Sequence, residues 1–388
     1  MKNLIFLIFL YIYIIYFLKT IKSIILNNHY LLIYSEMEFS KSKHMVLPRE
    51  IHAGHNALSQ LAKVCKNLEL KNNVLIVTGS ISYNIAGKAV EEILKNSGFK
   101  TSVISVDIGS LSNLEKIKRY GEEIKTDFFV GVGGGSKIDL AKKAAYDLYK
   151  PFISIPTTAS HDGIASPRAS LKDDNNSVSL EAAVPIGIIA DTGILVKAPY
   201  RNLIAGAADL IANYTAVRDW ELAEKIKNEE FSSSAFALAK YASEEIFQYC
   251  NKIKPDNEES VWLVIKNLIF SGVAMSIAGS SRPASGSEHL FAHAIEKTTD
   301  NKSLHGEIVG VGTIIMSYLQ GQDWQKVKDT LQRLGAPTTA KDLNLKDEVV
   351  LHALTIAHTI RNRYTILGDE GLSKDAAEKA ARATGVIS

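Results

Sequence analysis

Between Lys71 and Ala198 the chain alternates short apolar runs with segments of helical periodicity. "NNVLIVTGS" predicts a strand closed by a turn, and "SYNIAGKAVEEILKNSG" a helix ending at Gly98. "KTSVISVDI" predicts a second strand and "NLEKIKRYGEEIK" a second helix. "TDFFVGVGGGS" runs from a third strand into glycines. A helix over "KIDLAKKAAYDLY" and a strand over "PFISIPTT" follow. Such alternation predicts a mostly parallel, right-handed wound sheet. After Pro199 the strand signal stops. Seven segments, from "NLIAGAADLIANYTAVRDWELAEK" to "VVLHALTIAHTIRNRYTIL", carry helical spacing of apolar residues. The expected organisation is an α/β half over residues 37–199 and an all-α half over residues 200–388, with a cleft between them.

Residues 1–36 break this pattern. Asn3 to Leu18 is a nearly unbroken apolar run of 16 residues, flanked by Lys2, Lys19 and Lys22. A membrane span needs about 20 apolar residues, and no clean small-residue cleavage site follows the run. A membrane anchor and a misplaced start, with translation beginning at Met37 or Met45, both stay open. Either way the leader is set apart from the fold.

The length of 388 residues suits two domains. The net charge of +2 is already accounted for by Lys2, Lys19 and Lys22 less Glu36, so the body is neutral. A neutral body argues against nucleic acid as a partner. Cys65 and Cys250 are far apart and lack metal-site spacing, which suggests buried thiols in a reducing compartment.

Candidate chemistry gathers in three places. Gly131, Gly133, Gly134 and Gly135 stand at a strand end, with Ser136 and Lys137 opening a helix. Backbone N–H groups free of Cβ atoms, at a helix N-terminus, suit a phosphate. The plain alternative is a tight turn with Ser136 as a cap. In "SIPTTASHDGIASPRASL", Thr157, Thr158, Ser160, His161, Asp162 and Ser166 crowd a strand's carboxyl end, where ligands bind in open α/β sheets. A solvent loop held by its own hydroxyls is the alternative. Finally, His289 and His293 lie four apart on one helix face, and His305 follows 12 residues after His293. Asp209, among apolar Ile204, Ala207, Ala208, Ile211 and Ala212, would be costly to bury unless paired or bound to metal. Zinc takes such ligands, but chance spacing and a helix cap explain the histidines equally. Asp107, ending "SVISVDI", is a candidate for a ribose hydroxyl and equally a turn residue.

The segments "VGVGGGSKIDLAK", "IPTTASHDGIASPRASL", "AGAADLIANYTAVRDW", "SSRPASGSEHLFAH", "LHGEIVGVGT" and "RNRYTIL" together resemble the archaeal sn-glycerol-1-phosphate dehydrogenases. The resemblance runs from about Lys43 to the C-terminus and leaves out the leader. "TTASHDG" and "SSRPASGSEH" separate that family from its glycerol dehydrogenase and dehydroquinate synthase relatives in the iron-containing alcohol dehydrogenase superfamily. It implies a Rossmann-like domain followed by a helical domain, the dehydroquinate synthase-like fold. It implies reduction of dihydroxyacetone phosphate by NADH or NADPH to sn-glycerol 1-phosphate, the backbone of archaeal phospholipids. The family's zinc ligands fall on Asp209, His289 and His305. Its substrate contacts fall on Asp162, Asp209 and His293, with His293 and Asp162 as catalytic candidates. Its dinucleotide contacts fall on Gly133, Gly134, Gly135, Ser136, Lys137, Thr157, Thr158, Ala159, Ser160 and Ser166. His293, with an imidazole suited to near-neutral pH, is a candidate to relay the product's proton. Arg282, Arg361 and Arg363 are candidates for the substrate phosphate by composition only. A cytoplasmic homo-oligomer completes the expectation, with membrane contact only if the leader is genuine. Two alternatives remain: a polyol or polyol-phosphate dehydrogenase of the same superfamily, and a membrane-anchored binding protein without catalysis.

Overall fold

The computed structural model describes residues 42–388 except 174 and 175, together with Lys19. The apolar run Asn3–Leu18, the candidate start at Met37 and the anchor reading lie outside the described residues. Residues Met45–Ser388 form one unit. In chain order its first elements are β1 (Glu50–Gly54), α1 (Leu61–Asn67), β2 (Asn73–Thr78) and α2 (Lys88–Asn96), which is entered through a π-helical turn at Tyr83–Gly87. Then come β3 (Lys100–Ser105), α3 (Leu111–Glu123), β4 (Phe128–Gly133), α4 (Gly135–Asp147) and β5 (Phe152–Pro156). A two-stranded antiparallel ribbon, β6 (Arg168–Asp173) and β7 (Asn176–Glu181), precedes β8 (Gly187–Asp191).

β1, β2, β3, β4, β5 and β8 form one sheet in the order β1-β8-β5-β4-β2-β3, every pair parallel. Its central strands are apolar without alternation because both faces are covered. β2 shows how: Val74 and Ile76 pack toward Leu61, Val64, Val90 and Leu94 of α1 and α2. Leu75 and Val77 face the other way, toward Leu114, Ile117, Ile138 and Ala141 of α3 and α4. Cys65 and Cys250 are buried free thiols, and burial pushes the Cys65 thiol up to about 12.

From Tyr200 onward the described residues are helical or irregular: α5 (Tyr200–Lys227), α6 (Ser233–Tyr249), α7 (Glu258–Ala278), α8 (Ser287–Thr298), α9 (His305–Leu319), α10 (Trp324–Leu334), α11 (Asp347–Ile356) and α12 (Lys374–Ala383). α5 is buried on every side from Leu203 to Asn213 and is the central helix, touched by α6, α7, α8 and α9. α7 is long and apolar enough to cross a membrane, but 67% of its apolar window is buried within the protein, as in a core helix.

The helix predicted over "VVLHALTIAHTIRNRYTIL" stops early. α11 ends at Ile356, a 3-10 turn covers Ala357–Thr359, and the chain then turns irregularly through Arg361 and Arg363. The Arg363 guanidinium donates to the Ser285 carbonyl and to Ser281 Oγ, bonds that hold the segment against the loop before α8.

Candidate active site

The loops that follow β4 and β5 lie side by side at the carboxyl edge of the sheet. Thr157 N–H donates to the Gly133 carbonyl at 3.0 Å. Thr158 Oγ1 lies 3.4 Å from Ser160 Oγ and 3.2 Å from where a Cβ on Gly134 would stand. The two sequence-predicted cofactor segments are therefore one surface, beside the N-terminus of α4. Lys137 Nζ donates to the Asp107 carbonyl at 2.7 Å. Asp107 itself accepts from the Ser80 N–H and hydroxyl at 3.3 and 3.0 Å, so one of its oxygens serves the turn after β2. Ala159 and Ser166 are buried. The His161 ring, which sequence reasoning left without a role, lies against Gly135 and accepts from Gly163 N–H at 2.9 Å. Burial holds its pKa down.

The second half of the site comes from α5, α8 and α9. Close backbone approach assembles it. A Cβ on Gly206 of α5 would lie 2.1 Å from the Ala159 carbonyl oxygen, and one on Gly306 of α9 would lie 2.0 Å from the Ala205 carbonyl oxygen. The first contact seats the loop after β5 on α5, and the second brings His305 to Asp209. Gly306→Ala is expected to force α9 off α5 and cost about 3 kcal/mol, read as a lowered Tm together with reduced metal content. An unchanged Tm would show that the two backbones can part freely.

Asp209, His289 and His305 place one ligand atom each within 4.8 Å of one another. Asp209 is only 4% exposed and its Oδ1 has no hydrogen-bond donor. His289 Nε2 stands 3.4 Å from that oxygen. Two ligand atoms on a tetrahedral ion with ordinary zinc bond lengths stand about 3.3 Å apart. The other imidazole nitrogens are taken: His289 Nδ1 pairs with Glu288 at 2.8 Å and His305 Nδ1 with Glu296 at 2.6 Å. Carboxylates that orient metal-binding imidazoles in this way are a regular feature of zinc sites. Burial disfavours charge on His289. The facing carboxylates of Asp209 and Glu288 nevertheless raise it to about 10, so the surroundings favour a positive charge at this point.

A second group, His293, Glu296 and His305, is equally close. Its carboxylate, however, is already bonded to both imidazoles, at 2.9 Å to His293 and 2.6 Å to His305. The donor set with an unsatisfied oxygen is the one centred on Asp209.

Asp162 N–H donates to Asp209 Oδ2 at 3.2 Å, and Ser271 Oγ donates to Asp162 Oδ2 at 2.9 Å. Burial, and then the neighbouring Asp209 charge, raise Asp162 to about 7. Burial lowers the His293 imidazole to about 4, with Arg361 and His305 adding to the effect against Glu296. Its Nε2 lies 3.0 Å from Arg361 Nη2, positioned to accept from that guanidinium. Glu288 and Glu296 were missed in the sequence. Glu296 stands three residues after His293, on the same helix face, and that spacing was the available signal.

The profile of the iron-containing alcohol dehydrogenase family matches residues 52–199. A glycerol-1-phosphate dehydrogenase (NAD(P)+) of Thermoplasma volcanium is 50% identical over 352 residues, 90% of this chain and 100% of that protein. One from Methanosarcina barkeri is 50% identical over 349 residues, 90% of this chain and 98% of that protein. Among solved structures, a probable glycerol dehydrogenase from Sinorhizobium meliloti has a TM-score of 0.75 at 19% identity, covering 88% of this chain and 98% of that one. Glycerol dehydrogenase from Schizosaccharomyces pombe has a TM-score of 0.73 at 20% identity, covering 90% and 92%. These two likenesses show the fold.

Proposed function

This chain belongs to the glycerol-1-phosphate dehydrogenase family, and from that premise we propose that Asp209, His289 and His305 hold the zinc ion its reaction needs. It is an NAD(P)-dependent oxidoreductase that reduces dihydroxyacetone phosphate to sn-glycerol 1-phosphate for the archaeal lipid backbone. The observation that carries the metal assignment is the buried Asp209 Oδ1, without a donor, facing His289 Nε2.

When bound, the ion supplies Lewis acidity toward a ketone oxygen and the nicotinamide supplies the hydride. The chain's own residues do the rest. Gly133, Gly134, Gly135, Ser136 and Lys137 offer backbone N–H groups and a helix N-terminus to the dinucleotide phosphates. Thr157, Thr158, Ala159, Ser160 and Ser166 form the adjoining wall. Glu288 and Glu296 hold the Nδ1 sides of His289 and His305, leaving Nε2 as the donor atom of each. Asp162 and His293 flank this centre and are assigned to the substrate, Asp162 being fixed by Ser271. Residues 37–199 are the dinucleotide half and residues 200–388 the metal-bearing half. The placement of all the described strands before Thr192 supports that division.

The polyol dehydrogenase alternative has only a likeness of fold behind it. The non-catalytic alternative leaves the Asp209 oxygen without a purpose. The test is turnover of dihydroxyacetone phosphate with NADH or NADPH by purified protein, before and after complete chelation. Activity should vanish with the metal and return on adding zinc. Full turnover by metal-free protein would refute the assignment.

A further inference from the structure

Dihydroxyacetone phosphate carries a dianionic head that its seat must match with cations not already neutralised. Most basic groups near the site are already engaged. Arg282 donates to both Glu229 oxygens and to the Tyr364 carbonyl. Arg201 forms a two-pronged pair with Glu307. Lys142 is fully buried against Asp139 and the Gly163 and Ser166 carbonyls. Arg363 lacks a carboxylate partner too, but its guanidinium is turned to the Ser285 carbonyl and the Ser281 hydroxyl, where it holds its segment against the loop before α8.

Arg361 and Arg168 differ. Arg361 donates from Nη2 to His293 Nε2 at 3.0 Å, and Arg168 donates to the Ser179 hydroxyl and carbonyl. Neither is among the ion pairs of the described residues, although both are half-buried. Glu296 acts on Arg361 only at longer range, being bonded to His293 and His305. Glu181 acts on Arg168 from the facing strand without pairing. Both segments converge on the helix that carries His293: β7, to which Arg168 is bonded, packs on α8, and so does the Ala357–Thr359 turn just before Arg361. Burial, and then the charge of Arg168, lower Arg361 to about 10, so the two guanidiniums feel each other. Two like charges withdrawn from water without a carboxylate are costly, and a shared anion relieves that cost.

We propose that Arg361 and Arg168 form the seat of the substrate phosphate, beside His293 and across from the Asp209 centre. The assignment rests on the reading of that centre as the carbonyl end of the substrate site. Arg361 then has two tasks, one on the phosphate and one in holding the His293 ring.

The test compares kcat/KM for dihydroxyacetone phosphate with kcat/KM for dihydroxyacetone in the native enzyme, Arg361→Gln and Arg168→Gln. Losing one charge-assisted contact should lower that ratio by about 30-fold or more for Arg361→Gln and about 10-fold for Arg168→Gln. Inorganic phosphate should compete with dihydroxyacetone phosphate in the native enzyme and compete less in Arg168→Gln. That second reading stands even if Arg361→Gln fails to fold. A ratio unchanged in both variants, or phosphate competition unaltered in Arg168→Gln, overturns the seat. Such results would leave the metal reading intact, because that reading fails only if native turnover survives loss of the metal.

Discussion

Asp209→Ala is expected to abolish zinc retention and to lower kcat/KM for dihydroxyacetone phosphate by about three orders of magnitude. Asp209 brings the only carboxylate of the proposed ligand set, and its Oδ1 is buried without a donor. Removing it leaves His289 and His305 as two neutral donors, too few to hold a divalent ion against water. Stability supplies an independent reading. Zinc bound to the native state should raise the Tm of the native protein, and this rise should be absent from the variant. Asp209→Asn separates charge from shape: it keeps the acceptor for the Asp162 N–H but weakens the ligand, so its activity should fall between the two. Metal analysis, steady-state kinetics and thermal melts on the same preparations provide the check. A variant that keeps stoichiometric zinc and normal turnover would place the ion elsewhere.

The second large effect is expected at Glu296. Although burial opposes its charge, the facing imidazoles hold its carboxyl well below the usual carboxylate range. Its two oxygens accept from His293 and His305. Glu296→Ala leaves two buried ring N–H groups unmatched and frees His305 to turn. Orienting partners of this kind are worth about 10- to 100-fold in metal affinity or activity. Glu296→Gln should lie between, because its amide has one acceptor oxygen for two N–H donors. The distinction from Asp209→Ala is rescue: high zinc should restore much of the Glu296→Ala activity and none of the Asp209→Ala activity. Equal failure to recover would make Glu296 a ligand rather than an orienting group.

The parallel sheet was legible because β2, β4 and β5 are apolar runs bounded by glycine, proline or polar turns. β1 and the β6–β7 ribbon were not. "EIHAG" at the sheet edge and "RASLKD" and "NSVSLE" in the ribbon carry little continuous apolar signal, since one side of each meets water or charged groups. β8 is only five residues long and runs directly into a helical turn at Thr192–Leu195. The C-terminal break after Ile356 was hidden because apolar spacing continues through the 3-10 turn. Beyond it, Arg361 and Arg363 bond across to His293 and Ser281 rather than continue the helix. In the site, His289 with His293 was visible from helical spacing, and Asp209 from its apolar neighbours. Glu288 and Glu296 read as ordinary charged helix positions. Glu288 accepts from Thr215, 73 residues earlier in the chain, and Glu296 from His305 on the next helix, so their purpose appears only once the chain has folded.

The loop after β5 belongs to two sites at once. Its Thr157–Ser160 part faces the proposed dinucleotide surface, while the Asp162 N–H rests on Asp209 and the Asp162 side chain on Ser271 of α7. The proposed cofactor and ion sites therefore share one piece of backbone, and their occupancies are expected to be coupled. Whatever free energy the dinucleotide lends to metal retention, the metal returns to dinucleotide binding in equal measure.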